Sequence, residues 1–175
     1  VCRRFGRAGA ILALIDMDEE GVRDQAESLR QMGMEATAFP CDISREEDCR
    51  LTMQSVLTRY GGIDVLVNNA GFDRGATLLK VKEEDWDAVL GVHLKGALNC
   101  ILAVAPHMIE NRYGKIVNIS SIYGKSGGIA AISYSAAKAG IMGLTKSVAR
   151  ELGRYQINVN VVVPGLILTP TSAKM

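Results

Sequence analysis

No charge of one sign dominates this chain. Its 175 residues carry 20 Lys plus Arg against 19 Asp plus Glu, a formal net charge of +1. With the charges mixed along the sequence, a nucleic-acid or membrane surface is disfavoured as the main partner. Only four cysteines are present, Cys2, Cys41, Cys49 and Cys100, and no two stand at a metal-binding spacing. No metal site is expected, and the thiols read as small buried or half-buried side chains of a reducing compartment. No apolar run approaches the roughly 18 residues of a membrane span. Residues 2–15 imitate a secretory signal, with arginines ahead of an apolar stretch. That stretch is short and ends at Asp16, Asp18, Glu19 and Glu20 without a small-residue cleavage site. Repeats and low-complexity segments are absent as well. These absences point to one soluble, cytoplasmic domain, long enough to bury a sizeable core.

What the sequence does contain is an alternation. Residues 10–15 read as a strand and 19–33 as an amphipathic helix closed by glycine. Residues 35–39 form a short strand. A helix over 44–60 follows, where Ser44 and Glu47 match a capping box. Another strand covers 63–67. From Glu83 onward, Trp86, Leu90, Leu94, Ala97, Ile101, Ala105 and Met108 recur at helical spacing, with Pro106 near the end. A strand at 115–119, a helix at 132–154 and a strand at 157–163 complete the pattern. Continuous apolar strands alternating with helices predict a parallel sheet covered on both faces, a doubly wound, Rossmann-like α/β domain.

Tyr134 and Lys138 lie in the segment YSAAKAG, four residues apart. On a helix they share one face with a rise of about 6 Å between them. A cation about 4 Å from a phenol, at an effective dielectric near 20, favours the phenolate by on the order of 4 kcal/mol. Thirteen residues before Tyr134, Ser121 closes the apolar run GKIVNISS. Upstream, GGIDVLVNNAG runs from a strand into a polar turn, and downstream INVNVVVPGLILT ends in Pro-Gly. The ordered set of strand-NNAG, strand-SS, YxxxK and strand-PG resembles the short-chain dehydrogenase/reductase family over essentially the whole chain.

The resemblance implies a hydride exchange between a nicotinamide cofactor and a secondary alcohol or ketone. Tyr134 would be the general acid/base. Lys138 would ease ionisation of the phenol and hold the nicotinamide ribose, and Ser121 would orient the substrate oxygen. Ser120 is the lesser candidate, one residue off the family spacing. His93 stands where the family usually carries Asn. It reads either as a water-holding group or as a packing residue, and it stays outside the catalytic set. For the cofactor, the resemblance implies Asp16 at the adenosine ribose, and Asp42 with Ile43 at the adenine. It also implies Asn69, Ala70 and Gly71 in the facing turn, and Pro164, Gly165, Ile167 and Thr169 at the carboxamide. Tyr134 and Lys138 touch the cofactor too. A carboxylate at Asp16 would repel a 2′-phosphate, which favours NAD and leaves NADP open. The family commonly forms dimers or tetramers, here through helices 83–112 and 132–154. The substrate stays undivided between 3-oxoacyl thioesters, sugars and steroid alcohols.

The family's TGxxxGxG turn and the strand before it have no counterpart here, since residues 1–7 read as the tail of the helix that follows them. The last residues, TPTSAKM, come shortly after the Pro-Gly motif. An incomplete domain from a longer enzyme is therefore expected, with a naturally shortened protein as the alternative. In the family's sheet the absent strand lies between residues 10–15 and 63–67. Those two strands, roughly 9.6 Å apart, then lack a ladder partner between them. The rival reading is a non-catalytic chain that acts by association. The isolated polypeptide is expected to be poorly folded or inactive. Cooperative thermal unfolding together with NAD turnover would contradict that.

Overall fold

The computed structural model describes residues 1–167. Helix α1 (Cys2–Arg7) turns at Gly9, whose φ of +87° suits a residue without a Cβ, and leads into β1 (Leu12–Asp16). Helix α2 (Glu19–Gln31) begins where the Asp18 carboxylate accepts the Gly21 N–H at 3.0 Å. Strand β2 (Ala36–Pro40) precedes α3 (Glu46–Tyr60), and β3 (Val65–Asn68) follows. Then come α4 (Glu83–Leu90), a π-helical turn (Gly91–Lys95) and α5 (Gly96–Glu110). The remaining elements are β4 (Gly114–Ile119), α6 (Tyr123–Ser126), α7 (Ile132–Leu152) and β5 (Ile157–Val162).

All strand pairs are parallel. Leu12 faces Ala36 in the β1–β2 ladder, and β4 lies between β3 and β5, with Val65 facing Lys115 and Gly114 facing Ile157. The two ladders are not joined, because β1 and β3 share no hydrogen bonds. This is the break that the sequence placed between those two strands. Leu12, Leu14, Val22, Ala26, Leu29 and Ala36 form a small core between α2 and the first ladder. The main core gathers Leu66, Ile101, Val104, Met108, Ile116 and Ile157 between the second ladder and its helices. Ile15 and Ile43 pack on that main core and tie the first ladder to it.

Two expectations need correction. Ser44 does not cap α3. Its hydroxyl donates to Asp42 Oδ1 at 2.7 Å and its N–H to the same oxygen at 3.0 Å, and Arg45 occupies the cap without a side-chain capping bond. A carboxylate two residues upstream offers Ser44 a local turn that competes with capping. The second correction concerns hydrophobic length. The stretch Glu83–Glu110 is long and apolar enough by composition to cross a membrane, with an 18-residue window inside it reaching a mean hydropathy of 1.7. Its apolar side chains Val89, Ala97, Cys100, Ile101, Val104 and Met108 are instead buried within the domain. The thiols follow expectation, with Cys41, Cys49 and Cys100 buried, Cys2 half-buried and all four free. Burial pushes the Cys41 thiol up to about 11, and the contact with Cys100 together with burial raises that of Cys49. Neither is a nucleophile at neutral pH.

Ile116 is fully enclosed on the middle strand. Ile116→Ala is expected to cost about 2–5 kcal/mol, read from urea unfolding.

Candidate active site

A parallel ladder puts all its carboxyl ends on one edge, and the chemistry-bearing residues follow those ends. Asp16 closes β1, Asp42 follows β2, Asn69 follows β3, Ser120 and Ser121 follow β4, and Pro164 follows β5. Beneath this edge runs a buried polar chain that sequence reasoning passed over. Asn68 Nδ2 donates to Asn118 Oδ1 at 2.8 Å, Asn118 Nδ2 to Thr145 Oγ1 at 2.9 Å, and Thr145 Oγ1 to the Ile141 carbonyl at 2.7 Å. It pins β3, β4 and α7 together directly below the residues expected to form the site. The signal was there to read, because asparagine is depleted in strands and yet sits inside both VLVN and IVNI.

The two serines divide their work. The buried Ser120 hydroxyl donates to the Lys138 carbonyl at 2.7 Å, fastening the end of β4 to α7. Ser121 is half-buried, and its oxygen accepts the Tyr123 N–H at 3.2 Å. The Tyr123 ring stands edge-on to Tyr134 at 6.4 Å between centroids, so α6 bridges Ser121 and Tyr134. Lys138 keeps only 4% of its surface exposed, and its ammonium donates to the Ile119 carbonyl at 2.7 Å. The ammonium nitrogen is 5.4 Å from the centre of the Tyr134 ring. Burial pushes the Lys138 ammonium down to about 8, so it still carries its charge at neutrality.

His93 lies in the π-helical turn, and such turns often mark functional sites. It is 3% exposed, and its ring stands edge-on to Tyr134 at 5.3 Å. Nε2 is 2.7 Å from the Phe72 carbonyl oxygen and 3.1 Å from the Phe72 N–H. The shorter contact assigns the proton to Nε2, which leaves Nδ1 a buried acceptor without a partner. A Cβ at position 71 would overlap this imidazole, which explains the glycine there. His93 thus links the turn after β3 to the tyrosine ring. Burial, reinforced by the Lys138 charge, pushes the imidazole down to about 4 despite its bond to Phe72.

Of the residues expected at the cofactor, Asp16 is exposed, and one of its oxygens accepts the Asp18 N–H at 3.1 Å. Asp42 is half-buried and tied to Ser44. The Ile43 carbonyl accepts from Asn99 at 2.9 Å. Asn69, Ala70 and Gly71 are exposed in the turn after β3. The Pro164 carbonyl accepts the Ile122 N–H at 2.9 Å, and Gly165 and Ile167 are exposed beyond it. Thr169 lies outside the described residues. A cavity of about 960 Å³ brings Met17, Asp42 and Phe72, from beyond the ends of three strands, against the Gly91–Leu98 segment. Ser121, Tyr134 and Lys138 do not line it.

The His93 value sets a pH dependence of stability. A buried imidazole held below the usual 6.5 contributes fully above that value, and its contribution is lost as pH falls through about 4. The span corresponds to about 3 kcal/mol. Melting temperature followed from pH 7 to pH 4 is expected to fall less steeply in His93→Asn than in the parent.

The whole chain, residues 1–175, matches the short chain dehydrogenase family. It is 39% identical over 171 residues to the 3-oxoacyl-[acyl-carrier-protein] reductase FabG of Thermotoga maritima, covering 98% of this chain and 70% of that protein. It is 42% identical over 167 residues to (2S)-[(R)-hydroxy(phenyl)methyl]succinyl-CoA dehydrogenase subunit BbsD of Thauera aromatica, covering 95% and 67%. Among solved structures, NAD+-bound xylitol dehydrogenase superposes with a TM-score of 0.93 at 34% identity, over 96% of this chain and 65% of that one. A gluconate 5-dehydrogenase from Burkholderia cenocepacia J2315, in complex with NADP and tartrate, gives 0.91 at 35%, over 95% and 66%. The chain therefore spans about two thirds of the length of these relatives. With its parallel strands and the residues gathered at their carboxyl ends, the chain belongs to the short-chain dehydrogenase family.

Proposed function

We propose that this protein is an NAD(P)-dependent oxidoreductase that interconverts a secondary alcohol and a ketone, with Tyr134 as its general acid/base. The observation that carries the reading is the buried Lys138 ammonium, 5.4 Å from the Tyr134 ring and on the same face of α7. A positive charge there lowers the cost of a phenolate, so the phenol can release a proton to a substrate oxygen or take one from it. Ser121, linked to Tyr134 through Tyr123, holds that oxygen and stabilises the charge developing on it.

The donors and acceptors at the strand ends fit a dinucleotide. Asp16, one of whose oxygens accepts the Asp18 N–H, would offer the other to the ribose hydroxyls, Asp42 and Ile43 would flank the adenine, and Asn69 to Gly71 would allow close backbone approach. Pro164, Gly165 and Ile167, with Thr169 outside the described residues, would hold the carboxamide. When bound, a nicotinamide cofactor supplies or accepts the hydride. The Asp16 carboxylate supports NAD, although related structures carry NAD+ in one case and NADP in others. The same reading includes a soluble, cytoplasmic protein that assembles as a dimer or tetramer through helices 83–112 and 132–154. In its support, Leu98 and Leu102 on α5 remain solvent-facing. A chain acting by association alone is not favoured, because it leaves the buried ammonium beside the phenol without a purpose.

In the longer enzyme that the resemblance implies, reduced-nicotinamide absorbance with a ketone panel tests the assignment, with NADH expected to outperform NADPH. Tyr134→Phe is expected to lose at least about a hundredfold in turnover while cofactor binding persists. Lys138→Met is expected to lose turnover yet melt no lower than the parent at pH 7, because it removes a charge that burial penalises. Unchanged turnover in Tyr134→Phe refutes its role.

A further inference from the structure

The backbone on either side of Ser121 is pinned, and its side chain is held separately. The Ser120 N–H donates to the Val162 carbonyl at 2.8 Å, and the Ile122 N–H to the Pro164 carbonyl at 2.9 Å. Both bonds anchor the chain to the end of β5 and the segment beyond it. The Ser121 oxygen, in contrast, accepts the Tyr123 N–H at 3.2 Å, and Tyr123 is the first residue of α6. Whatever fixes α6 therefore fixes the direction of the Ser121 hydroxyl.

Close contact between two backbones fixes α6. A Cβ at Gly124 would lie 2.7 Å from the Lys138 carbonyl carbon and 2.9 Å from both the Lys138 oxygen and the Ala139 nitrogen. Those atoms are main chain within the 21-residue helix α7. They cannot turn aside as the tip of a flexible side chain would. Gly124 lies inside α6 without a positive φ, so the close approach demands glycine here and the backbone conformation does not. The same Lys138 carbonyl accepts the Ser120 hydroxyl at 2.7 Å, and the Lys138 ammonium donates to the Ile119 carbonyl at 2.7 Å. Residues 119–124 thus wrap Lys138. Gly128 acts one step further out, since a Cβ there would meet the Tyr123 ring at 2.9–3.1 Å.

We propose that Gly124 is a positioning residue for the reaction. By letting α6 seat on the Lys138 peptide, it keeps the Tyr123 N–H on the Ser121 oxygen and so sets how Ser121 presents its hydroxyl. The proposal rests on the reading of Ser121 and Tyr134 as reacting groups. A methyl at position 124 requires the 2.7 Å contact to open to 3.4 Å or more, which α6 can supply only by backing away from α7. With Ser120 and Ile122 anchored, the displacement falls on Tyr123 and on its bond to Ser121. Tyr134 and Lys138 both belong to α7 and keep their relation to each other.

The test is made in the longer enzyme that the resemblance implies, with a ketone that it reduces. Gly124→Ala is expected to lower kcat about tenfold, with KM and the dissociation constant of the reduced nicotinamide cofactor changed by less than about twofold. The midpoint of the kcat pH profile is expected to stay in place, because the phenol and its ammonium move together. A double-mutant cycle decides whether the effect runs through Ser121. Added to Ser121→Ala, Gly124→Ala is expected to cost less than about twofold more, since the group that it orients is gone. A full tenfold further loss in that background, a displaced pH midpoint or an unchanged kcat in Gly124→Ala overturns the proposal. Should Gly124→Ala not fold, Gly128→Ala enters the same cycle, as it presses only on the Tyr123 ring, and an unchanged kcat or an undiminished loss beside Ser121→Ala overturns the proposal there too. Parent-like turnover in Ser121→Ala alone instead removes the reading of Ser121, and this inference with it.

Discussion

A lysine ammonium held almost out of contact with water is the constraint on which the rest of the site depends. Burial lowers the Lys138 value from its usual 10.5 to about 8, a cost of about 3 kcal/mol in the folded state. A fold bears such a cost only where the charge has somewhere to point. Here it points to the Ile119 carbonyl at the end of the central strand, with the Tyr134 ring above it. The surroundings hold that arrangement rigid. Ser120 ties the backbone of Lys138 to the strand end, and the Asn68–Asn118–Thr145 chain locks α7 against the two strands beneath it.

His93 approaches the same tyrosine from the opposite element. A neutral imidazole packed edge-on against the phenol, with its other side bonded to Phe72, makes the turn after β3 and the tyrosine one mechanical unit. Its steric demand reaches Gly71, where any side chain would collide with the ring. The glycine of the NNAG turn thus has a packing reason of its own, alongside close approach to a ligand. The π-helical turn, lying between two ordinary helical segments, contains the residue that makes this bridge.

Much of this was legible in the chain. The alternation of apolar runs and amphipathic stretches located all five strands and the long helices to within a few residues, because both periods are written locally. The spacing of Tyr134 and Lys138 guaranteed a shared face once a helix was granted. Even the interruption between β1 and β3 could be anticipated from the order of motifs. Local competition was harder to see. Ser44 had two acceptable partners, and only the geometry of the 40–45 turn shows that Asp42 wins. The 83–110 stretch also holds a window of membrane-like hydropathy, and only the structure shows several of its apolar side chains packed in the core.

By itself the sequence determined the class of fold and the family and pointed to the candidate pair of Tyr134 and Lys138, because these rest on periodicity and on residues near one another in the chain. Tertiary structure alone decided which serine is free and which is a fastener. It also decided that His93 is buried against Tyr134 and held neutral. Those outcomes depend on burial and on contacts between residues up to about forty positions apart, His93 and Tyr134 among them. No local pattern encodes such distances.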